Sequence, residues 1–240
     1  MTWWDFWADS ISQAFSLLVT FDIYVWTTIW VSLKVSGLAL MISTLIAFPF
    51  AALLAYRRFP GREFLRLMVY TGMGFPSVIV GLIVLLLLTQ RGPLGEFQLL
   101  FTQEAMILAQ CVLILPLLTG VAMSAMEAVD PLIGEAASSL GAKPLRQVWV
   151  MSSLAKRGLV TAILSGFGRA ISEVGAVMIV GGNILLSQNT SYTRTLTTAI
   201  IVETRQGKFE TALALGLILF LIVLIVNLVV LRLGRVPSAA

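Results

Sequence analysis

An all-α membrane protein with five crossings is what the sequence predicts, on three observations. First, 58% of its 240 residues are hydrophobic and only 12% are charged, whereas a soluble domain carries about a quarter charged residues. Second, apolar stretches near the roughly 20 residues that a helix needs to cross the hydrocarbon core recur five times along the chain. Third, the basic residues between those stretches fall mostly on one side. Helices are required, because a single chain in lipid must satisfy its backbone polar groups within each segment. The length suits one polytopic domain, and no internal repeat is visible.

In chain order, residues 1–25 form an N-terminal segment outside the membrane. Trp3, Trp4 and Trp7, with Trp26 and Trp30, suit the membrane–water interface, where amphipathic rings settle. The segment has no basic n-region and no small-residue cleavage pattern, so it reads as interfacial and not as a secretory signal; a short helix is expected near residues 9–20. The first span is Trp26–Tyr56, interrupted only by Lys34. The second is Leu67–Thr89, where Gly72-Met73-Gly74-Phe75-Pro76 signals a kink or a re-entrant turn. The third, Ala105–Met126, and the fifth, Thr211–Leu231, are free of charge. The fourth, Gly158–Val180, contains Arg169 and Glu173. The membrane domain covers 26–233, and 234–240 form a tail.

Charge orients the spans. Arg57, Arg58, Arg62, Arg66, Lys143, Arg146, Lys156, Arg157, Arg232 and Arg235 lie on one side, and Arg91, Arg194, Arg205 and Lys208 on the other. Ten against four places the first set in the cytoplasm, with the N-terminus outside and the C-terminus inside. This topology also accounts for the net charge of +4 without nucleic acid.

Absences exclude several chemistries. The chain has no histidine and one cysteine, Cys111, which sits in an apolar run as a small packing residue. Ser–His and Cys–His nucleophiles, His-based metal sites and an internal disulfide are thereby removed. None of the four lysines follows the glycine frame of a phosphate-binding loop. No cofactor, metal or catalytic residue is expected, and any ATP must be bound by a partner.

The segment 129–157 is the most informative. Asp130 is an N-cap and Pro131 an N1 residue, so a short helix starts there. Gly141 permits the turn that ends it, and Pro144 opens a second short helix reaching about Ser152. Read physically, this is either a surface for close approach of another protein, through Ala136, Ala137 and Ser138, or a loop lying on the bilayer. The run Glu135-Ala136-Ala137 followed by Gly141 resembles the EAA loop of ABC importer permeases. The later Leu-Pro of that motif is absent, with Ser153-Leu154 in its place.

The resemblance extends further. Arg169-Ala170-Ile171-Ser172-Glu173-Val174-Gly175-Ala176, then Gly181-Gly182-Asn183-Ile184 and Thr193-Arg194-Thr195-Leu196, are similar to the molybdate, tungstate and sulfate permeases. Within them, Ile171–Ile184 looks most like tungstate permeases. The similarity covers about Ser32–Leu231. It implies a type I (MetI-like) ABC importer permease fold and a path for a tetrahedral oxyanion, tungstate first, with molybdate or sulfate as alternatives. It also implies a homodimer of permeases, two ATP-binding subunits docked at Glu135, Ala136, Ala137 and Gly141, and an external solute-binding protein that delivers the anion.

Arg169 and Glu173 are four residues apart, which on one helix places them on one face beside Ser172. Two readings stay open: a close helix–helix seam locked by the pair, or a polar stripe on the translocation path. Gly181-Gly182-Asn183 either converges backbone N–H groups on an oxyanion or ends the helix. Thr193, Arg194 and Thr195 either line an outer vestibule with Asn183 or cap a helix over Thr195–Glu203. From other classes, an ATP-independent secondary anion transporter and a non-transporting scaffold remain as alternatives. The lack of a repeat and of a ladder of buried carboxylates counts against the transporter.

Overall fold

The computed structural model describes residues 3–20, 22–187 and 190–234. From the N-terminus its helices are α1 (Trp3–Val19), α2 (Ile23–Tyr56), α3 (Arg62–Met73), α4 (Ser77–Leu88) and α5 (Gln103–Glu127). There follow α6 (Pro131–Ser139), α7 (Pro144–Leu154), α8 (Lys156–Ile171) and α9 (Gly175–Gly181). A short antiparallel hairpin, β1 (Leu185–Ser187) and β2 (Thr190–Ser191), precedes α10 (Leu196–Arg205) and α11 (Phe209–Gly234).

Helices α2, α5 and α11 are long and apolar enough to cross a membrane. The interrupted pairs α3 with α4 and α8 with α9 bring the number to five if each pair counts as one span. The second of the expected spans is therefore no single helix. It stops at Met73, the N–H groups of Gly74 and Phe75 bond back to Thr71 and Gly72 at 3.2 Å, and it restarts at Ser77. Pro76 forces this: it has no N–H to donate and holds the preceding residue out of the helical region.

The fourth of the expected spans is interrupted as well, after Ile171. The expectation that four-residue spacing places Arg169 and Glu173 on one helix face is overturned, because Arg169 lies in the last turn of α8, which ends at Ile171, and Glu173 lies beyond that end. The N-terminal helix starts at Trp3, earlier than expected. The hairpin was not expected at all, since Leu185–Ser191 shows no run of alternation long enough to signal a strand. Of the expected tail 234–240, all but Gly234 lies outside the described residues.

The chain forms two compact units. One comprises Met1–Ala39, Pro76–Gln110 and Ala170–Val226. Its core gathers Ala14 of α1, Val25 and Ile29 of α2, Leu196 and Ala199 of α10, and Ala214, Leu215 and Ile218 of α11. In the same unit α4 packs on α9 at backbone distance. A Cβ at Gly81 would stand 2.7 Å from the Cα of Ala176. Such small-residue seams are how helices associate where lipid removes the hydrophobic drive between them.

The other unit comprises Leu40–Phe75, Cys111–Arg169 and Asn227–Ala240. Its seams follow the same rule: a side chain at Gly158 would collide with Ala125, and one at Gly72 would meet the Pro116 ring at 2.9 Å. Leu54, Ile114, Leu118, Met123 and Ala162 are fully buried among them.

Overpacking a tight seam costs about 1–3 kcal/mol. Gly81→Ala should therefore lower the melting temperature of the detergent-purified protein by several degrees. Gly37→Ala, where nothing lies within 4 Å of the added carbon, should leave it unchanged. Equal melting of the two variants would show that the α4–α9 seam does not limit stability.

Candidate functional site

The segment 129–157 folds as a pair of short helices, built by the residues that predicted it. Asp130 caps α6 by accepting the N–H of Leu132 at 2.9 Å, with Pro131 at the first helical position. The turn passes through Gly141 at φ +78, a conformation that a Cβ resists. The N–H groups of Gly141 and Ala142 bond back to Ser138 and Ala137, each at 2.9 Å. Pro144 then opens α7, and the Gln147 side-chain amide donates to the Ala142 carbonyl at 2.8 Å. Gly134 lets α6 lie close on α7, since a side chain there would meet the Met151 sulfur at 3.0 Å.

Much of this pair is exposed. Glu135, Ala136 and Gly141 are exposed, and Ala137 is half-buried. Sequence reasoning missed the large apolar residues beside them: Leu140 is 89% exposed, Leu145 85% and Trp149 60%. Arg146 lies over the Trp149 ring at 4.6 Å. The signal was available, because Leu145 and Trp149 stand four apart and so share a face of α7.

An ion cluster joins α2, α3 and α5 near the pair. Glu127, at the end of α5, accepts from Arg62 at 3.2 Å and from Arg66 at 3.0 Å. Arg62 also donates from Nε to the Leu54 carbonyl at 2.6 Å and from its terminal nitrogen to that of Ala55 at 3.3 Å. A cation thus caps the last carbonyls of α2, which no intrahelical donor reaches.

The second region is the interruption between α8 and α9. Glu173 is buried at 5% exposure, and its Oε1 accepts the N–H of Ala176 at 3.0 Å. Its own carbonyl accepts from the Thr197 hydroxyl at 3.0 Å. Upstream, the buried side-chain amide of Gln110 donates to the carbonyl of Ala170 at 2.9 Å. Sequence reading did not single out Gln110 or Thr197. Arg169 and Ser172 are exposed on the two sides of the helix end.

Asn183, Thr193, Arg194 and Thr195 come together in one hydrogen-bonded loop. Thr193 donates to the Gly181 carbonyl at 2.6 Å and accepts the N–H of Ile184 at 2.7 Å. Arg194 donates to the Asn183 side-chain oxygen at 3.2 Å and to the Tyr24 hydroxyl at 3.3 Å. Gly182 and Asn183 both take positive φ, 69 and 54, as a helix exit requires. Thr195 caps α10 through a reciprocal capping box with Thr198, so the expected helix over Thr195–Glu203 is present as Leu196–Arg205. Among the described residues, no three His, Cys, Asp or Glu side chains are grouped to hold a metal ion.

Comparison with known proteins identifies the architecture. Residues 47–236 match the family described as "Binding-protein-dependent transport system inner membrane component". The chain belongs to this family. It is thus a permease subunit of the ABC importer type. It is 50% identical over 197 residues to a probable anion ABC transporter permease protein of Haloferax volcanii, covering 82% of this chain and 85% of that one. It is 39% identical to the tungstate uptake system permease protein of Peptoclostridium acidaminophilum, over 93% and 96% of the two chains. The molybdenum transport system permease protein of Escherichia coli is 29% identical, over 78% and 84%. In fold, the chain is similar to a bacterial alginate ABC transporter solved with a substrate-bound periplasmic protein. That similarity has a TM-score of 0.69 at 19% identity, covering 87% of this chain and 77% of the other.

Each ion pair at Glu127 is partly exposed to solvent, and solvent-screened pairs contribute up to about 1 kcal/mol. Glu127→Gln removes the charge that Arg62 and Arg66 share, so the melting temperature should fall modestly. Arg62→Ala should cost more, because it also uncaps α2. Equal losses from the two variants, measured by thermal denaturation in detergent, would assign the cluster to charge alone.

Proposed function

We propose that this permease forms the translocation path of an importer for a tetrahedral oxyanion, tungstate first, powered by ATP hydrolysis on partner subunits. The observation that carries this reading is the outward-facing α6–α7 pair, with Glu135, Ala136, Ala137 and Gly141 beside an apolar patch at Leu140, Leu145 and Trp149. Small residues admit close approach, and exposed large apolar residues mark a surface meant to be covered. The choice of anion rests on the relatives: the tungstate permease covers nearly the whole chain, and the molybdate permease is more distant. Molybdate or sulfate is the alternative within the same group.

The working unit in this proposal is two permease copies, two ATPases at the coupling segment of about 129–157, and an external binding protein. The alginate transporter's complex with a periplasmic protein supports that last partner by analogy of fold. The membrane domain of 26–233 crosses five times, with the segment 1–25 outside and the tail 234–240 in the cytoplasm. Closure of the ATPases draws the two α6–α7 pairs together and switches the spans between outward and inward states. Arg169, Ser172 and Glu173 lie at the interruption of the fourth span, where a path residue would sit. A charge there costs about 2.5–3.5 kcal/mol on insertion scales, and intramembrane ionisable residues commonly serve function. The loop of Asn183, Thr193, Arg194 and Thr195 frames the outer vestibule.

Glu135→Lys should abolish uptake while leaving the permease folded, because it places the wrong charge at the ATPase contact. The check is tungstate uptake by cells, together with co-purification of the permease and its ATP-binding subunit. Full uptake by this variant would refute the docking surface. Anion transport by the chain reconstituted alone, under an ion gradient, would replace this reading with a secondary transporter.

A further inference from the structure

A cavity of about 490 Å3 opens between the end of α2, the start of α3 and the α6–α7 pair, all within one compact unit. Arg57, Arg58 and Arg62 line it, as do Glu127 and Glu135. Three of these five charges differ in standing from the other two. Arg62 and Glu127 are committed to each other, and Arg62 also to the carbonyls at the end of α2. Arg57 and Arg58 are exposed, and among the described residues neither guanidinium pairs with a carboxylate. Glu135, likewise, makes no ion pair among them.

Two adjacent, uncommitted guanidiniums at a concave wall are suited to an oxyanion, because each offers a planar fork of donors that matches phosphate geometry. The volume is many times the roughly 30 Å3 that one water occupies in the liquid, so more than a bare anion fits. Basic pockets between membrane helices on the cytoplasmic side accept phosphorylated lipid heads by the same chemistry.

We propose that this cavity binds a phosphate-type oxyanion through Arg57 and Arg58, tying the foot of α2 to the α6–α7 pair. The source is the phosphate of an anionic phospholipid headgroup or a free oxyanion from the aqueous side. Glu135 shares the cavity, so its carboxylate and the bound anion repel each other. Occupancy therefore holds the Glu135 carboxylate in the exposed position it already takes. Any effect of this on an ATPase rests on the docking proposed at Glu135; the binding itself does not.

The test uses the full chain in nanodiscs and reads its melting temperature, with no ATPase or uptake measured, so it succeeds or fails separately from the transport reading. One arm compares phosphatidylcholine alone with phosphatidylcholine containing phosphatidylglycerol. Another compares millimolar inorganic phosphate, and separately tungstate, with chloride at equal ionic strength. A rise in the lipid arm assigns the site to a headgroup, and a rise in the second arm assigns it to a free anion. Arg57→Gln with Arg58→Gln should abolish the rise, while the paired lysine substitutions weaken it without removing it. Lys143→Gln, a basic residue of the same face outside the cavity, should leave it intact and so separate the site from general surface attraction. No rise with any of these anions, or a rise that survives the double glutamine variant or is lost equally in Lys143→Gln, would overturn the proposal.

Discussion

A broken helix frees backbone donors and acceptors that lipid could not satisfy, and at the break between α8 and α9 three side chains take up such groups. The Gln110 amide takes the carbonyl of Ala170, the Thr197 hydroxyl takes that of Glu173, and the Glu173 carboxylate takes the N–H of Ala176. Each unmet group in hydrocarbon would cost several kcal/mol. Polar side chains from α5 and α10 thus support the break between α8 and α9, where the Ala170 carbonyl also accepts the backbone N–H of Glu173 at 3.2 Å. Thr197 is carried there by α10, whose start is held by Thr195 and by the Ser32 hydroxyl accepting the N–H of Leu196 at 2.8 Å. A buried carboxylate so engaged is a structural part of the break, whatever else it does.

The same logic, with water in place of lipid, shapes the α6–α7 pair. Its turn closes on backbone bonds through Gly141, and its caps come from Asp130 and Pro131, so the pair holds its form without a covering partner. What it leaves outward is apolar area at Leu140, Leu145 and Trp149. Beneath it, Arg62 joins the end of α2 to Glu127 of α5.

Much of this was determined by sequence alone. Composition and apolar length dictate membrane helices, because the bilayer admits few other structures. The local chemistry of Asp130-Pro131, Gly141 and Pro144 set the two short helices almost to the residue, since caps and turns depend on neighbours in the chain. The same holds for the helix exit at Gly182-Asn183 and for the cap at Thr195. What only the tertiary structure decided involves residues distant in sequence. The break after Ile171 has no proline to announce it, and its stabilising partners lie 60 and 24 residues away in the chain. Four-residue spacing implied a shared face for Arg169 and Glu173, but spacing is informative only while the helix continues. Where Gly81 meets Ala176, and which arginines beside Glu127 are committed, likewise depends on long-range packing that no local pattern encodes.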